Sequence, residues 1–243
     1  MRFSILLLIL LFSFTNCSKD HLFDCTKSSG NEIEESRTIG KFKNIHMDND
    51  VDIILYSDTT DFVRVKSGSH LIDGIITEVD GNTLYIRNEN KCNWVRSFGN
   101  KYTVTIGMKN PEHIETYGSG NLFCNDTIRT DEFFFDSWNA SGSFHFIFNN
   151  RIVHLVNNIG RTDIHASGVS AVAYSFINDV GILDASCLTT NLFYIRNSST
   201  GDLRINVQSE LTAEIKYNGN IYYSGNPYKI DRTITGNGTL IHQ

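Results

Sequence analysis

A glycine followed by a short turn unit recurs every 18 to 22 residues through the second half of the chain. Between these glycines apolar and polar residues alternate, for example around Leu192 and Tyr194 or around Leu211 and Ala213. Alternation with period two is typical of β-strands. A repeat of this length with two or three short strands predicts one coil of a parallel β-solenoid. The recurring glycines are Gly120, Gly142, Gly160, Gly181, Gly201, Gly219 and Gly238.

One such coil cannot bury its inward side chains alone. Coils must therefore stack at a strand spacing of about 4.8 Å, which completes the backbone hydrogen bonds and forms a continuous core. We expect the glycines at the corners, where the chain needs positive φ. A β-sandwich or an antiparallel meander is the competing architecture, because turns in such folds recur about every 8 to 12 residues and two strands would fill one repeat.

Short alternating stretches also precede the repeats, at 51–55, 63–65, 84–86 and 102–106. The turn at Asp80-Gly81-Asn82 lies just before one of them and predicts a hairpin. Few prolines and many β-branched and aromatic residues agree with short strands and tight turns. The sequence therefore predicts an all-β protein, a parallel β-helix or β-solenoid with an antiparallel or mixed segment at its N-terminal side.

The first residues have the features of a targeting sequence. Arg2 is followed by an apolar run over 3–14, which is too short to span a bilayer but fits a signal-peptide core. Cys17 follows this run, as at the cleavage and acylation site of a bacterial lipoprotein, although Asn16 is unusual in the preceding position. We predict a signal peptide over 1–16 and a lipid on Cys17; an ordinary secretory signal is the alternative.

The rest of the chain divides by composition. Residues 17–38 are polar and charged, and they predict a lipid-anchored tether without a core of its own. Residues 39–243 predict one β-solenoid domain, with N-terminal strands over 39–112 and repeat coils over 113–243. No later segment is long and apolar enough to span a membrane, so the lipid is the expected membrane contact. These features predict an exported protein anchored in the outer membrane and leave its periplasmic or surface side open.

The net charge limits the classes of partner, and the cysteine content limits the possible disulfides. The formal net charge of -6 gives no general attraction to nucleic acid. Cys25, Cys92, Cys124 and Cys187 remain after Cys17 is set aside, and export permits two disulfides in any of three pairings. For Cys124 and Cys187, which lie in the repeats, we favour buried apolar thiols.

Residues 39–243 contain a series of strand and glycine motifs whose order and spacing are characteristic. The stretches are 42–45, 51–55, 76–79, 81–86, 114–120, 219–227 and 234–238, and the stretch at 219–227 is the most specific of them. Together they resemble the putative auto-transporter adhesin, head GIN domain family of Bacteroidetes-type lipoproteins. The resemblance implies a right-handed β-helix-like fold, an envelope location and an adhesin role, and it brings no catalytic residues.

Candidate chemistry is sparse. His145, His154 and His165 fall in the repeats, where stacked imidazoles could hold a metal, but surface or satisfied positions are commoner. Asp163 and Asp184 lie at the same offset from a glycine, so they could stack as a carboxylate pair one coil apart. The alternation of Asp48, Asp50 and Asp52 predicts a solvated strand face rather than a calcium site. We predict no catalytic residue, no metal and no cofactor.

Binding and modification have a few candidate residues. Tyr222, Tyr223 and Tyr228 cluster near the C-terminus and could contact a ligand. Thr59 and Thr127 lie in short motifs that resemble bacterial O-glycosylation sites.

The favoured hypothesis is a non-enzymatic envelope lipoprotein that binds or scaffolds through its solenoid faces, with a glycan or an envelope protein as partner. A carbohydrate-active β-helix enzyme, such as a polysaccharide lyase or hydrolase, is the alternative. A structural periplasmic protein without a ligand is a third hypothesis. The sequence leaves the oligomeric state open.

Overall fold

The computed structural model describes residues 28–56, 60–91 and 102–243. This part of the chain is almost all β-strand and forms a β-solenoid of about six turns, with mixed strands in its N-terminal part, which confirms the predicted fold class. A single 3₁₀ turn over Ile72–Gly74 interrupts the described strands. The strands are β1 (Glu32–Arg37), β2 (Asn44–Asp48), β3 (Asp52–Tyr56), β4 (Phe62–Gly68), β5 (Ile75–Asp80), β6 (Thr83–Asn88), β7 (Thr103–Gly107), β8 (His113–Gly118), β9 (Leu122–Cys124), β10 (Glu132–Asp179), β11 (Ile182–Ser199), β12 (Leu203–Ile215), β13 (Ile221–Ser224), β14 (Lys229–Ile234) and β15 (Leu240–His242).

Each coil contributes one strand segment to each of two faces. The first face contains β6, β2, β8, the first segment of β10 and, at its far end, β14. The second face contains β7, β3, β9 and, at its far end, β13 and β15. The long strands β10, β11 and β12 pass through corners without interruption and so supply segments to both faces. All pairings named here are parallel, so equivalent residues of successive coils lie directly above one another.

Inward side chains form continuous apolar columns because the pairing is in register. One column of the second face begins at Val104 and Ile53 and ends at Leu240. Its members between these ends are Leu122, Phe144, Ile164, Leu183, Leu203 and Ile221, and all six are fully buried. Column stacking buries side chains that a single coil would leave in water, and this burial is the main source of stability in such folds.

The stacking order differs from the chain order at the N-terminal end. The strand β2 lies between β6 and β8, and β3 lies between β7 and β9, always in parallel. The solenoid therefore starts well before residue 113, where the sequence placed the first coil. Antiparallel strands then close this end, since β5 pairs with β6 and β4 pairs with β7. The turn at Asp80-Gly81-Asn82 joins β5 and β6, and the predicted hairpin is confirmed.

The strand β1 (Glu32–Arg37) lies within the segment that the sequence assigned to a tether. It pairs antiparallel with β4 over its full length, from Glu32 opposite Gly68 to Arg37 opposite Val63. The charged composition was misleading because β1 is an edge strand with mostly exposed side chains, and such strands tolerate charge. This part of the expected tether is a strand of the folded domain.

Corner glycines are needed for a different reason from the one expected. Gly120, Gly142, Gly201, Gly219 and Gly238 do not have positive φ. A Cβ on Gly219 would instead lie 2.0 Å from the carbonyl oxygen of Gly201, and a Cβ on Gly238 would lie 2.1 Å from that of Gly219. Successive coils approach so closely at this corner that a side chain does not fit between their backbones.

Gly160 does not belong to this column. It lies above Ala140, whose oxygen would be 2.2 Å from an added Cβ, and it has a φ of 113°. Ala140 in turn lies above Gly118, which has a φ of 112°. The corner therefore carries two columns, two residues apart, and the position equivalent to Gly142 in the next coil is Thr162, which is fully buried.

Buried amides bind the carbonyl groups that the corners expose. Asn157 Nδ2 donates to Gly160 O at 3.1 Å and to Asn178 O at 2.7 Å, while its Oδ1 accepts from Ser137 Oγ at 2.8 Å. Asn197 Nδ2 likewise donates to Gly201 O at 3.1 Å. These contacts satisfy polar backbone groups inside the core and fix the corner geometry.

Candidate functional site

Outward side chains form straight rows for the same reason that inward ones form columns. On the first face, one row carries an aromatic ring on each successive coil, and we call it the aromatic row. Ring centroids are 4.3 Å apart for Phe134 and His154, and 4.9 Å apart for His154 and Tyr174 and for Tyr174 and Tyr194. These three pairs are parallel to within about 10°. His113 meets Phe134 edge-on at 6.1 Å and completes the row.

The rings of the aromatic row cover one another's faces. A sugar ring binds to an aromatic side chain through that side chain's face. Here the stacked faces of His154 and Tyr174 are already in contact, so mainly ring edges point to solvent. Two imidazoles of the row are also hydrogen-bonded to carboxylates. Asp136 Oδ2 lies 2.9 Å from His113 Nε2, and Glu132 Oε1 lies 2.8 Å from His154 Nε2. The aromatic row is therefore better suited to stabilising the face than to binding a ligand.

The second face carries a row of different chemistry, which we call the mixed row. Three rings stack first, with centroids 5.0 Å apart for Phe123 and His145 and 4.4 Å apart for His145 and His165. The row continues through residues in register with one another on the next coils, namely Asp184, Arg204 and Tyr222. The guanidinium of Arg204 lies 5.5 Å from the centre of the Tyr222 ring. Three rings, an anion, a cation and a further ring thus follow one another along one straight line.

An open groove of about 340 Å³ lies beside the middle of the mixed row. His145, His165 and Asp184 line its side, and Ser186 and Cys187 line its neighbouring edge. Asp184 Oδ1 accepts hydrogen bonds from Ser186 Oγ at 2.6 Å and from Ser186 N at 3.1 Å. Burial alone would raise the pKa of Asp184, but these hydrogen bonds, with Arg204 and His165, outweigh it and hold the pKa below its usual range. The groove therefore presents an ionised carboxylate.

The two described cysteines differ. Both are free thiols, Cys124 buried and Cys187 exposed, and both line the groove. The expectation of a buried thiol is confirmed for Cys124 and wrong for Cys187, because the strand pairing is irregular between Asp184 and Cys187 and the alternation of buried and exposed residues is broken there, with Ser186 and Cys187 both exposed. Burial raises the pKa of the Cys124 thiol to about 11, and its Sγ donates to Asp126 O at 3.0 Å. Cys25 and Cys92 lie outside the described residues.

The three candidate histidines do not form one cluster. His145 and His165 stack on the second face as expected, but His154 belongs to the aromatic row on the first face. The planes of His145 and His165 differ by 8°, so their in-plane nitrogen lone pairs do not converge on one point. Within 28–56, 60–91 and 102–243, no group of three or more His, Cys, Asp or Glu residues is arranged to hold a metal ion.

The candidate carboxylate groups are also dispersed. Asp163 pairs with Ile182, whereas Asp184 pairs with His165, so the expected stack of Asp163 on Asp184 is wrong. The equal glycine offset was misleading because Gly160 and Gly181 belong to different corner columns.

The aspartates 48, 50 and 52 do not share a strand face. Asp48 ends β2, Asp50 lies in the corner and Asp52 begins β3. Asp52 Oδ1 accepts from Asn121 N at 2.9 Å and from Asn121 Nδ2 at 2.8 Å, so it joins two coils at the corner. Burial, and then the charge of Asp52, raises the pKa of Asp50.

The three candidate tyrosines point in different directions. Tyr222 lies in the mixed row, and its neighbour Tyr223 packs against the core and stacks on His242 with centroids 4.7 Å apart. Tyr228 is 78% exposed after the next corner, and its hydroxyl donates to Glu210 Oε1 at 2.9 Å. Of the three tyrosines, Tyr222 belongs to the mixed row, and ligand contact by any of them stays a prediction.

The modification sites are only partly described. Cys17 and Thr59 lie outside the described residues, and Thr127 is half-buried in the loop between β9 and β10. Within the described residues, no helix has the length and apolar character needed to cross a membrane.

Sequence reasoning missed the mixed row. His165, Asp184 and Arg204 are about 20 residues apart, but this spacing becomes meaningful only when the exact register is known. The signal that could have found them is the position directly after an inward column residue, counted from Ile164, Leu183 and Leu203 rather than from the glycines.

Several solved structures share this fold. A crystal structure named as a putative adhesin from Bacteroides fragilis has a TM-score of 0.81 at 20% identity and covers 88% of this chain and 97% of its own. A putative adhesin from Parabacteroides distasonis has a TM-score of 0.67 at 18% identity, with 88% and 98% covered. A second protein of that species, named as a putative lipid binding protein, has a TM-score of 0.66 at 17% identity, with 89% and 98% covered.

No curated protein matches the chain. The sequence model of one family does match, over residues 41–227, and it is described as "Putative auto-transporter adhesin, head GIN domain". This range contains the coils from β2 to β13, including the mixed row and its groove. The chain belongs to the head GIN domain family.

Proposed function

We propose that the protein is a non-enzymatic adhesion module of the cell envelope, and that it binds an extended glycan chain along the mixed row. The observation that supports this proposal is the straight row of three rings, a carboxylate, a guanidinium and a further ring from Phe123 to Tyr222. A chain lying along the solenoid axis would meet a new coil about every 4.8 Å, so one ligand could contact several coils at once.

The groove chemistry favours a polyhydroxylated ligand. Sugar hydroxyls both donate and accept hydrogen bonds. In the groove, the ionised Asp184 accepts and the hydroxyl of Ser186 can do both. Arg204, which follows Asp184 in the row beyond the groove, donates. The groove is open along its length, which suits a polymer that enters from the side rather than a small molecule enclosed in a cavity.

The family and its structural neighbours carry adhesin or binding names, which agree with this proposal. The hydrolase or lyase alternative needs two carboxylates across one bond. In the groove, Asp184 is flanked along its row by His165 and Arg204. That arrangement favours binding over acid–base cleavage of a glycosidic bond.

The experiment compares binding by the full chain and by row variants. The purified chain is applied to an array of bacterial and host glycans, and affinities for the positive glycans are measured by titration calorimetry. We expect Asp184→Asn and Arg204→Ala to weaken binding at least tenfold. Arg196→Ala is the matched control, because Arg196 also lies where β11 pairs with β12 but is on the first face, away from the groove. The control should bind as wild type does.

Three outcomes would overturn this function. The first is an array without a positive glycan, and the second is equal binding by all variants. The third is cleavage: release of new reducing ends or unsaturated products from any polysaccharide incubated with the chain would establish an enzyme. Capture of an envelope protein by the same groove, lost in Asp184→Asn, would assign the row to a protein partner instead.

We further propose that residues 1–16 are a signal peptide and that Cys17 carries the lipid that anchors the protein in the outer membrane. The tether of this proposal is shorter than 17–38, because Asn31 O accepts from Ser69 N, Ser29 O accepts from His70 N, and β1 begins at Glu32. Metabolic labelling with an alkyne fatty acid tests the anchor. We expect label in wild type and none in Cys17→Ala, and unlabelled wild type would contradict the anchor.

A further inference from the structure

The two ends of the solenoid are closed to different degrees. At the N-terminal end, β5 covers β6 on the first face, with Val79 opposite Leu84 and Thr77 opposite Ile86. At the C-terminal end of the same face, β14 is hydrogen-bonded to β12 on one side, and every residue of β14 is exposed. No described strand pairs with the other edge of β14. Its backbone N–H and C=O groups are therefore available to another strand.

The inward side of β14 is apolar with one charge in the middle. Ile230, Arg232 and Ile234 are in register with the buried residues Leu211, Ala213 and Ile215. Ile230 is 38% exposed and Ile234 is 42% exposed, although their positions are core positions in the preceding coils. Arg232 makes no hydrogen bond or ion pair with any described residue. Arg232 thus ends the column that Leu84 begins at the other end.

We infer that the open edge of β14 receives an extended strand of another protein, and that this strand carries an acidic residue opposite Arg232 between two apolar residues. The cap at the other end supplies the geometry, because β5 shows how an antiparallel strand closes this face. Main-chain hydrogen bonds supply affinity in such strand addition, and alternate side chains supply specificity. The surface is separate from the mixed row, which lies on the second face.

Arg232 determines which strands can bind, because a strand that covers its charge without offering a carboxylate loses free energy. A strand laid over β14 removes the guanidinium from water, and a buried charge is tolerated only when it is paired and hydrogen-bonded. A carboxylate opposite Arg232 can form two charge-assisted hydrogen bonds with it. A neutral or basic residue in that place would leave the charge uncompensated. The partner sequence is therefore apolar–x–acidic–x–apolar.

A peptide titration tests this inference. The probe is a fluorescein-labelled peptide, Lys-Thr-Val-Thr-Glu-Thr-Val-Thr-Lys, and two further peptides carry Gln or Lys in place of the central Glu. Binding to the full chain in mild detergent is followed by fluorescence anisotropy. We expect the Glu peptide to bind at least tenfold more tightly than the Gln peptide. Arg232→Glu should reverse the order, so that the Lys peptide binds best.

Arg161→Glu is the matched control, because Arg161 is an exposed arginine at a corner distant from β14. It should leave the preference for the Glu peptide unchanged. Equal affinities for the three peptides, or no binding at millimolar peptide, would overturn the inference. So would concentration-dependent dimerisation of the chain that Arg232→Glu abolishes, because a second copy of this chain would then be the occupant. Circular dichroism of Arg232→Glu verifies that the variant is folded.

Discussion

The imidazole of His145 lies parallel to that of His165 on the next coil, with ring centroids 4.4 Å apart and planes that differ by 8°. Both rings are half-buried in the mixed row, and Ser143 Oγ lies 2.8 Å from His145 Nε2. Protonating either ring would place a positive charge against its neighbour. The stability of the second face therefore depends on pH through this pair.

Acidification should destabilise the fold through this pair. Burial, and then the neighbouring charge of His165, lowers the pKa of His145 below its usual value. As pH falls through about 6.5, the unfolded chain takes up the proton first, so the free energy of unfolding decreases until the folded pKa is passed. Urea unfolding at pH 7.5 and pH 5.5, followed by tryptophan fluorescence, measures the loss. His145→Phe should reduce the loss, while His113→Gln should retain it.

Alanine at a close corner should be poorly tolerated. Gly219→Ala places a Cβ 2.0 Å from Gly201 O, so the stacked backbones must separate. We expect the free energy of unfolding to fall by about 1–3 kcal/mol, as in other overpacked sites. Gly40→Ala is the matched control, since its Cβ would meet only Val79 Cγ1 at 3.8 Å. Equal stability of the two variants in urea would contradict the close approach of the coils.

Removing a side-chain amide at a corner should lower the stability of the fold, because it leaves buried carbonyl groups without a donor. Asn157→Ala deletes the donor to Gly160 O and Asn178 O inside the core. A buried polar group left without its partner costs about 1–3 kcal/mol, which corresponds to a fall in Tm of roughly 2–12 °C for a chain of this size. Asn237→Ala, at an exposed corner, should change Tm little. An unchanged Tm for Asn157→Ala would show that other donors replace the amide.

The two described thiols should differ in reactivity. Cys187 is exposed, whereas Cys124 is buried with a pKa of about 11, and the thiolate is the reactive form. Iodoacetamide at pH 8 should modify Cys187 within minutes and Cys124 only in denaturant, as measured by peptide mass spectrometry. Cys187→Ser should remove the rapid site. Rapid modification of Cys124 in the native chain would contradict its burial.

The repeat was predictable because coil stacking leaves a trace in the sequence. Successive inward residues such as Leu183, Leu203 and Ile221 are apolar at nearly constant spacing, and corners keep glycine where backbones nearly touch. Which residues of successive coils are equivalent was less predictable. Glycine occupies two corner positions two residues apart, so Gly160 was grouped with Gly142 although Thr162 is the equivalent residue. A shift of two keeps every side chain on its own face, and the alternation cannot reveal it.

The order of the N-terminal coils was beyond prediction from the sequence. Alternation in β6 marks a strand with one buried side, but it does not say which strand lies beside it. β6 follows β2 in the chain and yet stacks outside it, so the chain returns to the end of the solenoid before it continues from β8. The mixed row depends on the same exact pairings, and for that reason it appears only in three dimensions.

The near contact between Gly219 and Gly201 means that the backbone alone fixes the rise from one coil to the next. Outward positions such as Asp184 and Arg204 consequently keep their coordinates whatever side chains they carry. The outward positions therefore keep a fixed spacing, and the side chain at each of them can change independently. Substitutions at these outward positions can thus change the chemistry of the surface without a change in the framework of coils.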